Sequence, residues 1–372
     1  MRASAVLLLC LSLGCVYGLE ICGEHPQVKM MRMLESLYPG ISVRGIQAVA
    51  ERFKETLPGV WLAYQKQIAA YYVCLEGGLL VVFNSILALT IIKHEALRVE
   101  KQFLLIAALA LTDAVVGLGT LSSGLYRIPR LMDQSVGHSA SRRQCMLTVH
   151  AICWTVAWAS SSLLMLVISL DRLFLTITPL RYISLDYTYA LAIVLSVFAF
   201  NLALFCRCLY RSLPETAMEF REICIIPMAL RPEDFKIYQY CMMLGSFGSV
   251  LVYVVVIATY RRRLATVATD TNATVRQKLS SQRKFTKAVG ISCLFTFLFH
   301  GLPSMFLYLS YALPFIDYSL IGIWSWIISS MNPLLNLGIY TSKQKEIRVG
   351  VNALFGCKQM PPTLNTWNLQ ET

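Results

Sequence analysis

Asp171 and Arg172 stand side by side where a long apolar run ends, and Thr176, Thr178, Pro179, Leu180, Arg181 and Tyr182 follow closely. Charge at the end of a buried helix is costly, so such a pair must face other helices or reach an interface, and it often marks function. Its chemistry is electrostatic: a guanidinium offers only N–H donors and a carboxylate only acceptors. Farther back in the same run His150, Trp154, Trp158, Ser161, Met165, Ile168 and Arg172 recur every three or four residues, which on a helix makes one continuous stripe. Asp113 is a second ionisable residue inside an apolar segment, about ten residues from its start and so about 15 Å deep at ~1.5 Å per residue. A carboxylate there needs partners, because an uncompensated buried charge costs several kcal/mol. Ser161, Ser329 and Asn332 lie at the same depth, with Asn84 nearby. No HExxH pattern, phosphate-binding glycine loop or nucleophile elbow occurs, and the 12 cysteines contain no CxxC pair. Enzymatic chemistry and a zinc site therefore have no visible home.

The elements that position these residues follow from composition. Of the 372 residues 56% are hydrophobic and 15% charged, and the mean hydropathy is +0.58, which predicts an all-α membrane protein with several spans. The net charge of +12 falls in gaps between apolar runs, where it acts as a topology signal and not as a face for nucleic acid. Apolar segments recur at about 69–92, 102–126, 145–173, 187–210, 237–260, 285–311 and 316–341, each long enough to cross a hydrocarbon core of about 30 Å. Residues 1–18 have the layout of a cleavable signal peptide. The chain then reads as an extracellular N-terminal segment over 19–68, a seven-transmembrane helix bundle over 69–341 and a cytoplasmic tail over 342–372. Arg261, Arg262, Arg263, Arg276, Lys278, Arg283, Lys284 and Lys287 face a single Asp270 in the fifth gap, which predicts a cytosolic loop. Lys93, Arg98, Lys101, Lys343, Lys345 and Arg348 fall on the same side. Arg142, Arg143, Arg207, Arg211 and Arg221 would lie outside and are less decisive. In the tail Ile347, Val351, Leu354 and Phe355 form the apolar side of a short amphipathic juxtamembrane helix that would rest on the lipid bilayer.

Asn84 in the first segment, Leu109-Ala110-Leu111-Thr112-Asp113 in the second, Asp171-Arg172-Leu173 followed by Pro179-Leu180, Phe297 and Pro303 in the sixth, and Ser329-Ser330-Met331-Asn332-Pro333 in the seventh each occur in the right segment and order. With them the chain resembles a divergent rhodopsin-like (class A) G-protein-coupled receptor over about 69–358, and within that class the nematode serpentine chemoreceptors. Leu173 replaces the usual tyrosine, the fourth segment lacks its tryptophan, Gly245 stands at a common proline position and Gly301 at a common tryptophan position. In the seventh segment two registers are open: Asn332-Pro333, which lacks the later tyrosine, and Asn336 to Tyr340, which lacks the proline.

The resemblance implies the roles of the named residues. His150, Trp154, Trp158, His300 and Trp326 become ligand contacts near the outer mouth, and Asp171, Arg172, Leu180, Tyr253 and Tyr340 the site for a heterotrimeric G protein. Asn84, Asp113, Ser161, Ser329 and Asn332 form a polar core that in the family holds a sodium ion. Phe297, Pro303 and Pro333 form a switch, in which Pro303 bends the sixth helix so that its inner end can swing. Cys145 and Cys224 are the natural disulfide pair, and Cys357 a lipidation site. Arg283 stands where the family's inhibitory lock has an acid, which leaves Asp171 as the expected restraint on Arg172 and predicts ligand-independent signalling. The expected function is to bind an extracellular small molecule or peptide and activate a G protein at the plasma membrane. An amine ligand is disfavoured because the family's amine-binding Asp falls at Trp154, and a retinal Schiff base because no lysine lies between Ile316 and Tyr340. The alternatives are a seven-span chemosensory channel or transporter, against which the absence of internal repeats speaks, and a receptor that no longer couples.

Overall fold

The computed structural model describes residues 69–132, 139–221, 224–267, 288–312 and 318–356, all within the unit Lys66–Thr372. The expected signal peptide, the segment over 19–68, Arg283 and Cys357 lie outside the described residues. Six helices are long and apolar enough to cross a membrane, beginning with Ala69–Lys93, Lys101–Arg130, Val149–Ile177 and Tyr187–Ser212 and continuing with Pro232–Arg262 and Ala288–Phe306. The seventh, Tyr318–Lys343, is 26 residues long and carries Ser325, Ser329, Ser330, Asn332 and Asn336, all buried within the bundle. Helices suit this setting because each satisfies its own backbone hydrogen bonds without water.

The third span is central, packing against the second, fourth and fifth. Its closest neighbour is the fifth at Gly245, where an added Cβ would lie 2.6 Å from the backbone of Ser162. The absence of a side chain, and not a proline bend, is what that position supplies. Two apolar cores result. One, at the arginine end, joins Ile168, Tyr253, Val256, Val289 and Tyr340; the other, at the disulfide end, joins Val116, Trp154, Trp158, Cys208 and Tyr238. Between them along the chain come Asp113, Ser160 to Ser162, and Ser246 with Ser249, all buried. A polar layer thus crosses the bundle, where its hydroxyls and carboxylate find partners in one another, in Asn336 and His300, and in the helix backbones.

At the disulfide end Ser139–Ser141 pairs antiparallel with Met218–Arg221, the strands found among the described residues. Ser141 then caps the short helix Arg142–Met146 in a reciprocal box with Gln144, and the third span opens only at Val149. Cys145 therefore sits on a separate helix, bonded to Cys224 in a disulfide. Three of the five arginines that were ambiguous for topology are paired here: Arg142 with Glu215, Arg207 with Asp234 at 3.1 Å, and Arg211 with Asp234 at 2.9 Å and Glu233 at 3.1 Å. At the other end Lys345–Leu354 forms the expected amphipathic helix. Ile347 is buried, Phe355 just past the helix is exposed, and His94 Nε2 lies 3.1 Å from the carbonyl oxygen of Gly350.

Candidate functional site: a pocket, a polar core and a buried arginine

Arg172 is 1% exposed and Asp171 2%, so the charged pair is enclosed by the bundle. The guanidinium donates to Asp171 Oδ2 through Nε at 3.0 Å and through a second nitrogen. It also donates to the hydroxyl of Tyr182 at 2.8 Å, and that hydroxyl donates to Asp171 Oδ2 at 3.1 Å. Tyr182 reaches back because the helix ends at Thr178 in a non-helical conformation and restarts at Pro179, which suits the first position of the short helix Pro179–Ile183. Lys101 braces it from the second span, donating to the backbone carbonyls of Tyr182 and Leu185 with its ammonium 3.9 Å from the Tyr182 ring centroid. Burial pushes the Tyr182 phenol well above its ordinary pKa, so it stays a neutral donor. The expectation that Asp171 alone restrains Arg172 is corrected: Tyr182 closes the pair into a triad. Sequence gave no signal for this, since the contact depends on the chain reversal at Thr178.

Tyr253 and Tyr340 share the apolar core beside this triad. The Tyr253 ring lies on Gly290 of the sixth span, where an added Cβ would come within 2.3 Å of its Cε1. Leu180 is on the short helix after Pro179, and its side chain is outside the described ones.

In the polar layer Asp113 is fully buried, with Oδ1 accepting from Ser161 at 2.6 Å and Oδ2 accepting from Asn336 Nδ2 at 2.8 Å. Asn336 Oδ1 in turn accepts from Ser292 at 3.1 Å. Asn84 Nδ2 donates to the carbonyl of Pro333 at 3.3 Å, which sets the seventh helix so that Asn336, and one turn later Tyr340, face the bundle centre. Asn332 is instead beside Thr296, whose hydroxyl donates to it at 3.3 Å, and Ser329 lines the neighbouring pocket. Of the two open registers, the one from Asn336 to Tyr340 meets Asp113. The core in this structure is a hydrogen-bond network in which each carboxylate oxygen receives one hydrogen, from Ser161 and from Asn336.

The sixth helix was expected to bend at Pro303. What the structure shows there is a widening: Phe297–Gly301 forms a π turn directly before the helix Leu302–Ala312. A proline ring clashes with the carbonyl four residues back and leaves it without a donor, and a wider turn accommodates both. Within this turn His300 Nδ1 lies 2.9 Å from Ser246 Oγ, and the Phe297 ring meets Phe247 edge to face at 5.5 Å.

Toward the disulfide end His150, Trp154, Trp158 and His300 form a chain of rings with centroids 5.4, 5.9 and 6.2 Å apart. His150 Nε2 donates to the carbonyl of Cys224 at 2.8 Å, and Trp154 Nε1 donates to Thr120 at 3.2 Å; both residues are buried in packing. Trp158 alone of these lines a pocket of about 330 Å³, counting its open mouth, together with Tyr238, Gln239, Met242, Ser304 and Ser325. His300 lies behind Trp158, and the side chain of Trp326 is outside the described ones. Gln239 was missed, although a lone amide in the apolar fifth segment was a legible signal.

A seven-helix bundle with a buried Asp-Arg pair at one end and a disulfide-tethered loop beside a pocket at the other has a counterpart among known families. The profile described as "Serpentine type 7TM GPCR chemoreceptor Srsx" matches residues 79–299, more than half of the chain. The chain belongs to the Srsx family of serpentine chemoreceptors. A search of curated proteins returns no match. The match runs from the first span into the π turn of the sixth, so it takes in Asn84, Asp113, the Asp171-Arg172 pair and both disulfide cysteines. As a member of an Srsx receptor family the chain is a multi-pass membrane protein and not an enzyme.

Proposed function

We propose that this Srsx chemoreceptor binds a small extracellular molecule in the pocket beside Trp158 and activates a heterotrimeric G protein at the Arg172 end. The observation that carries the reading is the placement of one polar layer, centred on Asp113, between that pocket and the Asp171–Arg172–Tyr182 triad. A ligand acts by binding one helix arrangement better than another. Ser329 belongs to the pocket lining and Asn336 of the same helix to Asp113, so a shift of the seventh helix changes both at once. The sixth helix, with its π turn against Pro303, is the element to swing. Moving its Arg172-proximal end out would strip Val289 and Gly290 from Tyr253 and open a cleft for a Gα subunit, with Leu180 an apolar contact beside it.

In this reading the disulfide end faces outside, where cysteines oxidise, and residues 19–68 precede the bundle there once the signal peptide over 1–18 is removed. The chain resides in the plasma membrane, with the amphipathic helix on the inner leaflet and Cys357 available for an acyl anchor. Epitope tags at the mature N-terminus and the C-terminus should be found on opposite sides of the membrane; tags on one side would end the proposal. Coupling is tested by expressing the chain with a panel of Gα subunits and measuring nucleotide exchange. At least one subunit should show exchange above a receptor-free background, and a flat panel would favour a receptor that no longer couples.

A further inference from the structure

The pocket between the third, fifth, sixth and seventh spans says something about its occupant. Gln239 is 2% exposed and lines the pocket, yet its amide nitrogen finds no hydrogen-bond partner among the described residues. A buried donor left without an acceptor costs about 1–3 kcal/mol, a cost that an oxygen entering the pocket would remove. Of the other polar groups of the lining, the Tyr238 hydroxyl is committed to the carbonyl of Trp154 at 2.7 Å, while Ser304, Ser325 and Ser329 add hydroxyls for further polar atoms of a ligand. The rest is Trp158, Phe235, Met242 and similar apolar surface, and the described lining holds no acid, lysine, arginine or histidine. A charged ligand would therefore be desolvated with no countercharge, which costs far more than a neutral polar group does. The roughly 330 Å³ includes open solvent at the mouth, so the enclosed part admits a small group and not a folded peptide.

We propose that the pocket selects small uncharged organic molecules bearing a carbonyl-type oxygen, with that oxygen accepting the N–H of Gln239 between Trp158 and Met242. This rests on the reading of the pocket as the ligand site, and the test separates the two. The full-length receptor in lipid nanodiscs is followed by thermal unfolding with straight-chain 2-ketones from butanone to nonanone, and with primary amines and carboxylates of the same lengths. Nucleotide exchange on a G protein is measured in parallel. At least one ketone should raise the unfolding midpoint, while amines and carboxylates should not. Gln239→Leu should bind that ketone at least about tenfold more weakly, the equivalent of one lost buried hydrogen bond. Without ligand, Gln239→Leu should unfold no earlier than wild type, because it removes an unsatisfied donor; this arm also shows that the variant folds. The inference is overturned if no ketone shifts the midpoint, if amines or carboxylates act as well as ketones, or if Gln239→Leu retains ketone affinity. A ketone that stabilises the receptor without stimulating exchange leaves the ligand class standing and removes the coupling.

Discussion

Three side chains hold Arg172 in its buried place, and only one of them is its sequence neighbour. Tyr182 donates to Asp171 and accepts from Arg172, so a single hydroxyl ties the loop after the third span to the charged pair, while Lys101 fixes the backbone that carries it. The same economy governs Asp113, which meets its partners through Ser161 and Asn336. Replacing Asp113 by Ala leaves both partners without an acceptor in a buried layer. Hydrogen bonds between membrane helices average well under 1 kcal/mol but reach about 2, so we expect Asp113→Ala to lose about 1–2 kcal/mol of stability, read as an earlier thermal unfolding in nanodiscs. Exchanging sodium for choline tests whether the core also holds an ion: a shift of the wild-type midpoint that Asp113→Asn abolishes would show that it does, and an unchanged midpoint leaves the hydrogen-bond network alone. At this scale the sequence showed that Asp113 must have partners, but not which asparagine supplies one. Four residues separate Asn332 from Asn336, one helical turn, and only the bond from Asn84 to the Pro333 carbonyl sets the rotation.

Glycines set how closely the helices approach. Gly245 brings the fifth span onto the backbone of Ser162, and Gly290 brings the sixth onto the ring of Tyr253. Gly301 is different: a Cβ there would meet Ser246 at 3.5 Å, an ordinary contact. Gly290→Ala should therefore push Tyr253 and the sixth helix apart, costing about 1–3 kcal/mol as overpacking does and raising basal nucleotide exchange. Gly301→Ala should leave both stability and basal exchange near wild type. Equal behaviour of the two variants would remove the argument that the sixth helix is held shut at Gly290. The helix positions were legible from apolar run lengths to within a few residues. The π turn was not, because Pro303 announces a distortion without saying whether the backbone kinks or widens. The separate helix carrying Cys145 was also hidden, since the Ser141 and Gln144 cap lies inside what reads as one apolar run with its flank.

Across the whole molecule the basic residues divide by use. Arg142, Arg207 and Arg211 at the disulfide end are spent on Glu215, Asp234 and Glu233, which is why charge counting alone left that side ambiguous. Pairing across the fold is invisible in a linear sequence. In the proposed function the triad holds the receptor shut at Arg172 and a ligand releases it from the far end. With no acid at the lock position of the sixth helix, the sequence predicts appreciable ligand-independent signalling; the Tyr182 hydroxyl predicts a restrained resting state. The direct measurement is basal nucleotide exchange by the reconstituted receptor for wild type, Tyr182→Phe and Arg172→Ala. Loss of a hydroxyl bonded to two charged groups is worth about 1.5–3 kcal/mol, so Tyr182→Phe should raise basal exchange by about tenfold or more over a low wild-type rate, and Arg172→Ala should abolish it. Identical rates for wild type and Tyr182→Phe, or exchange that survives Arg172→Ala, would contradict the account.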